Sequence, residues 1–203
     1  MATIKDNKLP EIKKLYKLGY SANDIAKKLG VSIDAVYYFF RKHDIPRRGP
    51  KENIAIQFER KAPSFKVKEN LNKEEQLLKQ SGVMLYWGEG SQWPGEKIVD
   101  FANSNTQMIK IFLEFLRKIC GINEKKLRAY LYCYSNQNPE ELIKYWSKIT
   151  NIPQKQFTKP YVRQMYNESK TGKMKYGLIH IRYNDKKLLL LIKKWISEYS
   201  EKY

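Results

Sequence analysis

Residues 21–41 read SANDIAKKLGVSIDAVYYFFR, and their spacing decides the fold of the first fifty residues. Ser21 can cap a helix that carries Ile25, Ala26 and Leu29 on one side. Gly30 breaks that helix. Ser32 caps the next, which runs to about His43 and stops before Pro46. Upstream, Pro10 opens a helix with Ile12, Leu15, Tyr16 and Leu18 at helical spacing, ended by Gly19. The reading for residues 1–50 is therefore three short helices. The corner between the second and third is tight. Ala26 is the small residue where the two helices cross, and Gly30, four positions on, supplies the positive φ of the turn. Val36, six further, plugs the core, with Ile25, Leu29, Val31 and Phe39 in the remaining inner places.

Over residues 10–45 this set resembles the helix-turn-helix of the resolvase and transposase type. The resemblance implies a third helix laid in the major groove of DNA, with Ser32, Ile33, Asp34, Tyr37, Tyr38 and Arg41 facing the bases. Asp34 has two readings: an acceptor for cytosine N4, or a favourable charge at the helix N-terminus. The following Pro46-Arg47-Arg48-Gly49-Pro50 resembles the core of an AT-hook and the basic arms of homeodomain-like modules. It implies that Arg47 and Arg48, with Lys51 beside them, enter a narrow minor groove, the alternative being a solvated charge run.

Charge agrees with a polyanionic partner. The 203 residues hold 39 Lys+Arg against 21 Asp+Glu, a net +18, and each phosphate neutralised releases condensed counterions. No apolar run approaches the ~20 residues that a membrane span needs. The N-terminal MATIKDNK has no secretory apolar region, so a cytoplasmic, nucleoid-associated chain with no membrane partner is expected. Cys120 and Cys133, without metal-ligand company, read as reduced core thiols.

Residues 51–78 show no sustained period and read as a linker with the basic arm at its start. From Lys79 the pattern is regular. An apolar helix ends in Gly88, Glu89 and Gly90; a strand fits 97–102; Met108 to Ile119 repeat as one helix face. Leu127, Ala129, Leu131 and Cys133 alternate with Arg128, Tyr130, Tyr132 and Tyr134, a strand with an apolar back and a polar-aromatic front. A helix fits 139–149. Strands fit 156–164, which carries Lys159 and Arg163, and 177–183, which carries His180 and Arg182. An amphipathic helix runs from about Asp185.

Within this stretch, Gly82-Val83-Met84-Leu85-Tyr86-Trp87-Gly88-Glu89-Gly90 resembles the nine-residue signature of the LAGLIDADG homing endonucleases. The resemblance implies an α+β domain of helices and antiparallel sheet over residues 79–203. It makes Glu89 the acidic metal ligand and catalytic residue, and Gly88 a ligand through its carbonyl. It also implies Mg²⁺ as cofactor for phosphodiester cleavage. One signature occurs, so the domain must pair with its own copy, giving a homodimer through the helix ending at Glu89. Val83, Met84, Tyr86 and Trp87 are the apolar surface expected there. The sheet face with Arg128, Tyr130, Tyr132, Lys159, Arg163, His180 and Arg182 is expected to contact DNA. Met84 stands where the family has a small residue, and the short stretch after Glu89 leaves little room for two long strands. The expectation is a sequence-specific duplex-DNA-binding protein, a homodimeric metal-dependent endonuclease, the alternative being a transcription regulator that keeps the fold without cleavage.

Overall fold

The computed structural model describes residues 4–164 and 174–202. The chain is α+β and divides into two compact units, residues 1–62 and 63–203.

The first unit holds α1 (Leu9–Lys17), α2 (Ala22–Leu29), α3 (Ile33–Lys42) and α4 (Pro50–Arg60). Ser21 caps α2 reciprocally with Asp24: its hydroxyl accepts from the Asp24 amide at 3.1 Å, and the Asp24 carboxylate accepts from the Ser21 amide at 2.9 Å. Gly30 ends α2 at φ +66°, the left-handed conformation the corner needs. Ser32 caps α3. Ile12, Leu15, Ile25, Ala26, Val36, Phe39 and Phe40 form the small core between α1, α2 and α3.

The linker expected over 51–78 is replaced by ordered structure on both sides of the division between the units. In the first unit α4 docks against the corner after α1. Arg60 donates to the Gly19 carbonyl at 2.8 Å and lies 3.9 Å over the Tyr20 ring. In the second unit residues 64–68 are a strap. The Ser64 amide and hydroxyl both donate to the Asp185 carboxylate, at 2.8 and 2.7 Å. The Lys66 and Lys68 amides donate to the carbonyls of Gly121 and Ile119. In the strap Phe65 and Val67 pack against the core between exposed Lys66 and Lys68, an alternation too short to stand out in the sequence.

The second unit runs α5 (Lys73–Glu89), β1 (Val99–Asn103), α6 (Thr106–Glu114) with a π-helical continuation Phe115–Ile119, β2 (Leu127–Tyr134), α7 (Pro139–Thr150), β3 (Tyr161–Arg163), β4 (Leu178–Tyr183) and α8 (Lys186–Ser200). The strand order is β1-β4-β2-β3. The pairs β1–β4 and β4–β2 are antiparallel, but β3 runs parallel to β2, which corrects the expectation of an antiparallel sheet. The reason is α7: a helix between two neighbouring strands carries the chain back to the starting end, so the second strand follows the first in direction. The strand expected over 156–164 is shorter for a related reason. Gln154–Gln156 is a 3₁₀ turn, Phe157 makes a single parallel bridge to Ala129, and the continuous ladder begins only at Tyr161–Arg163.

The inner sheet face supplies Val99, Phe101, Leu127, Ala129, Leu131, Cys133, Ile179, Ile181 and Tyr183 to one core, shared with α5, α6, α7 and α8. Burial of each large apolar side chain contributes roughly 1.5–3 kcal/mol. Both cysteines are buried free thiols in it. With the helices on that side, the other sheet face is left open.

Candidate nucleic-acid interface

In the first unit α3 turns Val36, Phe39 and Phe40 inward. Ser32, Ile33, Asp34, Tyr38 and Arg41 are exposed on its outer side, and Tyr37 is half-buried among them. All six residues expected to face the groove therefore share one outward face. Tyr38 is 59% exposed. The Ser32 hydroxyl is engaged as the cap, accepting from the Ala35 amide at 3.2 Å.

The connection from α3 to α4 departs from the expected extended arm. Arg48 folds inward. Its guanidinium lies 3.8 Å over the Tyr16 ring and donates to the carbonyls of Tyr16 and Tyr20. Its amide donates to the Tyr16 hydroxyl at 2.9 Å. The side chain is 9% exposed, so Arg48 pins the connection to α1 and is not free to enter a groove. Arg47 remains exposed, with its guanidinium 4.1 Å over Tyr37 on α3. Lys51 is exposed in the first turn of α4. A cleft of about 380 Å³ lined by Ser21, Asn23, Ile33, Tyr37, Arg47 and Arg48, among others, joins the starts of α2 and α3 to this connection.

In the second unit the open sheet face gathers most of the expected residues. Register puts Arg128 opposite Arg182 and Tyr130 opposite His180, with Tyr132 beside Tyr161 and Tyr134 beside Arg163. Tyr132 and Tyr161 stack at 5.3 Å, and Arg163 donates to the Tyr132 hydroxyl at 3.2 Å. Arg128 is exposed and anchored, donating to the Lys125 and Leu127 carbonyls at 2.8 Å. Lys159 is exposed just ahead of β3.

Sequence reasoning missed Asp100. On β1 it lies opposite Arg182, and its carboxylate accepts from His180 Nδ1 at 2.9 Å and from Arg182 Nε at 2.8 Å. Burial pushes its pKa up, but His180 and then Arg182 outweigh that and hold the carboxyl below the usual carboxylate range. The signal in sequence was the one charged residue of the strand VDFAN. The partner strand that gives it meaning lies some eighty residues away.

Glu89 is the last residue of α5 and is exposed, as are Gly88 and Trp87. Gly90 bridges to Phe101, which ties the end of α5 to the β1 edge of the sheet. Val83 and Tyr86 do not lie on an outer surface as expected: both are fully buried in the unit's own core. The outward side of α5 is Leu77, Met84, Trp87 and Gly88, with Leu77 64% and Trp87 44% exposed. Among the described residues no three His, Cys, Asp or Glu side chains are grouped to hold a metal ion. The Glu89 carboxylate is one oxygen ligand, and a hard divalent cation would take its others from water, phosphate or a second chain.

Among the described residues no helix is long and apolar enough to cross a membrane. No family model matches the chain, and no curated protein or solved structure shows a significant match to it.

Proposed function

We propose that this chain is a sequence-specific duplex-DNA-binding protein, with a helix-turn-helix in the first unit and a LAGLIDADG-like domain in the second. The observation that carries it is the outer side of α3. Ile33, Asp34, Tyr38 and Arg41 are exposed on it, with Tyr37 half-buried beside them, on a chain of net charge +18. The open basic-aromatic sheet face of the second unit is a further DNA surface in this reading.

The active form is a homodimer through α5, because that helix keeps apolar side chains outside the core: Val83 and Tyr86 serve the core, while Leu77 and Trp87 stay exposed. Cleavage depends on the pairing. Two copies of Glu89 at a twofold interface offer the carboxylates that one chain lacks, with Gly88 carbonyls beside them. Bound Mg²⁺ would supply charge stabilisation for hydrolysis of a phosphodiester. The single carboxylate per chain also favours a second reading, a dimeric transcription regulator that does not cleave.

Supercoiled plasmid carrying bound sites, incubated with and without Mg²⁺, separates the two. An endonuclease nicks or linearises it only with metal, and Glu89→Gln abolishes this while duplex affinity stays nearly intact. No cleavage by the wild type with Mg²⁺ or Mn²⁺ leaves the regulator. Cleavage by Glu89→Gln at the wild-type rate removes Glu89 from the chemistry.

A further inference from the structure

A carboxylate on a face that receives phosphate is unfavourable on charge alone. Asp100 nevertheless sits between two of the basic residues of that face, with its side chain only 13% exposed. We propose that Asp100 is a positioning residue for DNA, holding Arg182 and His180 side by side so that together they grip one backbone phosphate. The proposal rests on the open sheet face being the duplex surface of the second unit.

Each carboxylate oxygen takes one basic side chain: Oδ1 from His180 Nδ1 and Oδ2 from Arg182 Nε. Both are held through the nitrogen nearest their own backbone, so among the described residues the Nη groups of Arg182 and Nε2 of His180 are the atoms not engaged by the carboxylate. Tyr130 completes the cluster from β2. Its ring lies 4.4 Å beneath the Arg182 guanidinium and meets His180 edge-on at 5.4 Å. An arginine free in solvent loses rotamer freedom when it grips a phosphate; one already fixed has lost it on folding. With Nδ1 directed to the carboxylate, Nε2 is the imidazole nitrogen left for the phosphate.

Charge alone and positioning predict opposite signs. Asp100→Asn removes a negative charge from a polyanion surface, so charge alone gives tighter binding. Positioning gives weaker binding of the full-length chain to a mixed-sequence duplex of about 30 bp, by about tenfold, read by fluorescence anisotropy. Arg182→Lys keeps the charge but loses the planar fork and is expected to weaken binding similarly, which covers the case in which Asp100→Asn folds poorly. Unchanged or tighter binding by Asp100→Asn, or wild-type affinity in Arg182→Lys, overturns the inference. Paired substitution of Arg128 and Arg163 by Ala tells the two levels apart. If it leaves affinity unchanged, the sheet face is not the duplex surface and the inference falls with that reading. If it weakens binding while Asp100→Asn tightens it, only the inference falls.

Discussion

Arg47 and Arg48 are neighbours in the chain with opposite surroundings. Arg48 lies over Tyr16 with its donors spent on two carbonyls of the α1 end, while Arg47 covers Tyr37 from the solvent side. Arg48→Ala should therefore cost the first unit about 1–3 kcal/mol, through the lost stacking and the carbonyls left unpaired. Arg47→Ala should leave stability nearly unchanged and lower the log–log salt slope of DNA binding by about 0.9 if it meets one phosphate. Thermal melts of the two variants, with binding measured across salt, check both. Asp185 does comparable work in the second unit, capping α8 and receiving Ser64. Burial pushes its pKa up, but Ser64 and then the amides of Lys187 and Leu188 hold the carboxyl below its usual range. A carboxyl whose folded pKa is depressed contributes stability above its unfolded pKa of about 3.9 and loses it as pH falls through the lower folded value. Asp185→Asn should thus be less stable than wild type near neutrality, with the difference shrinking in acid, as urea melts at the two pH values would show.

Among the elements, those with a hydrophobic period and a cap were legible in the sequence. The structure ends α2 and begins α3 at Gly30 and Ser32, as the spacing required, and β2 spans Leu127–Tyr134 as its alternation required. What escaped was set by partners distant in sequence. The exception is local: the first turn of α5 is polar, without a hydrophobic period, and is secured by Asn72 and Glu75 capping each other, at 2.9 and 3.2 Å. α4 is held by Gly19 and Tyr20, and the Asp100 cluster needs β1 and β4 to meet. On α5 itself the glycines of the signature divide. A Cβ on Gly82 would fall 2.1 Å from Phe115, whereas one on Gly88 would meet nothing within 4 Å. Gly82→Ala should therefore destabilise the second unit by about 1–3 kcal/mol through overpacking. Gly88→Ala should leave the single chain as stable or up to about 1 kcal/mol more so, since alanine favours the helix. If two copies meet along α5, Gly88→Ala and Trp87→Lys both weaken the dimer. Light scattering at tens of micromolar that finds a monomer in the wild type, with and without DNA, would remove the paired-site model.

At the scale of the whole chain the governing quantities are two compact units and a net charge of +18. A protein that grips duplex DNA chiefly through phosphates loses affinity steeply as salt rises, because each contact releases about 0.9 of a counterion. The most direct measurement is the affinity of the full-length chain for a duplex across salt, compared with the variant Tyr38→Ala, Arg41→Ala on the outer side of α3. The expected result is tight binding at low salt, a steep negative log–log slope, and a wild-type preference among sequences that the α3 variant loses. Absence of duplex binding at low salt, a flat response to salt, or a sequence preference unchanged by the α3 substitutions would contradict it.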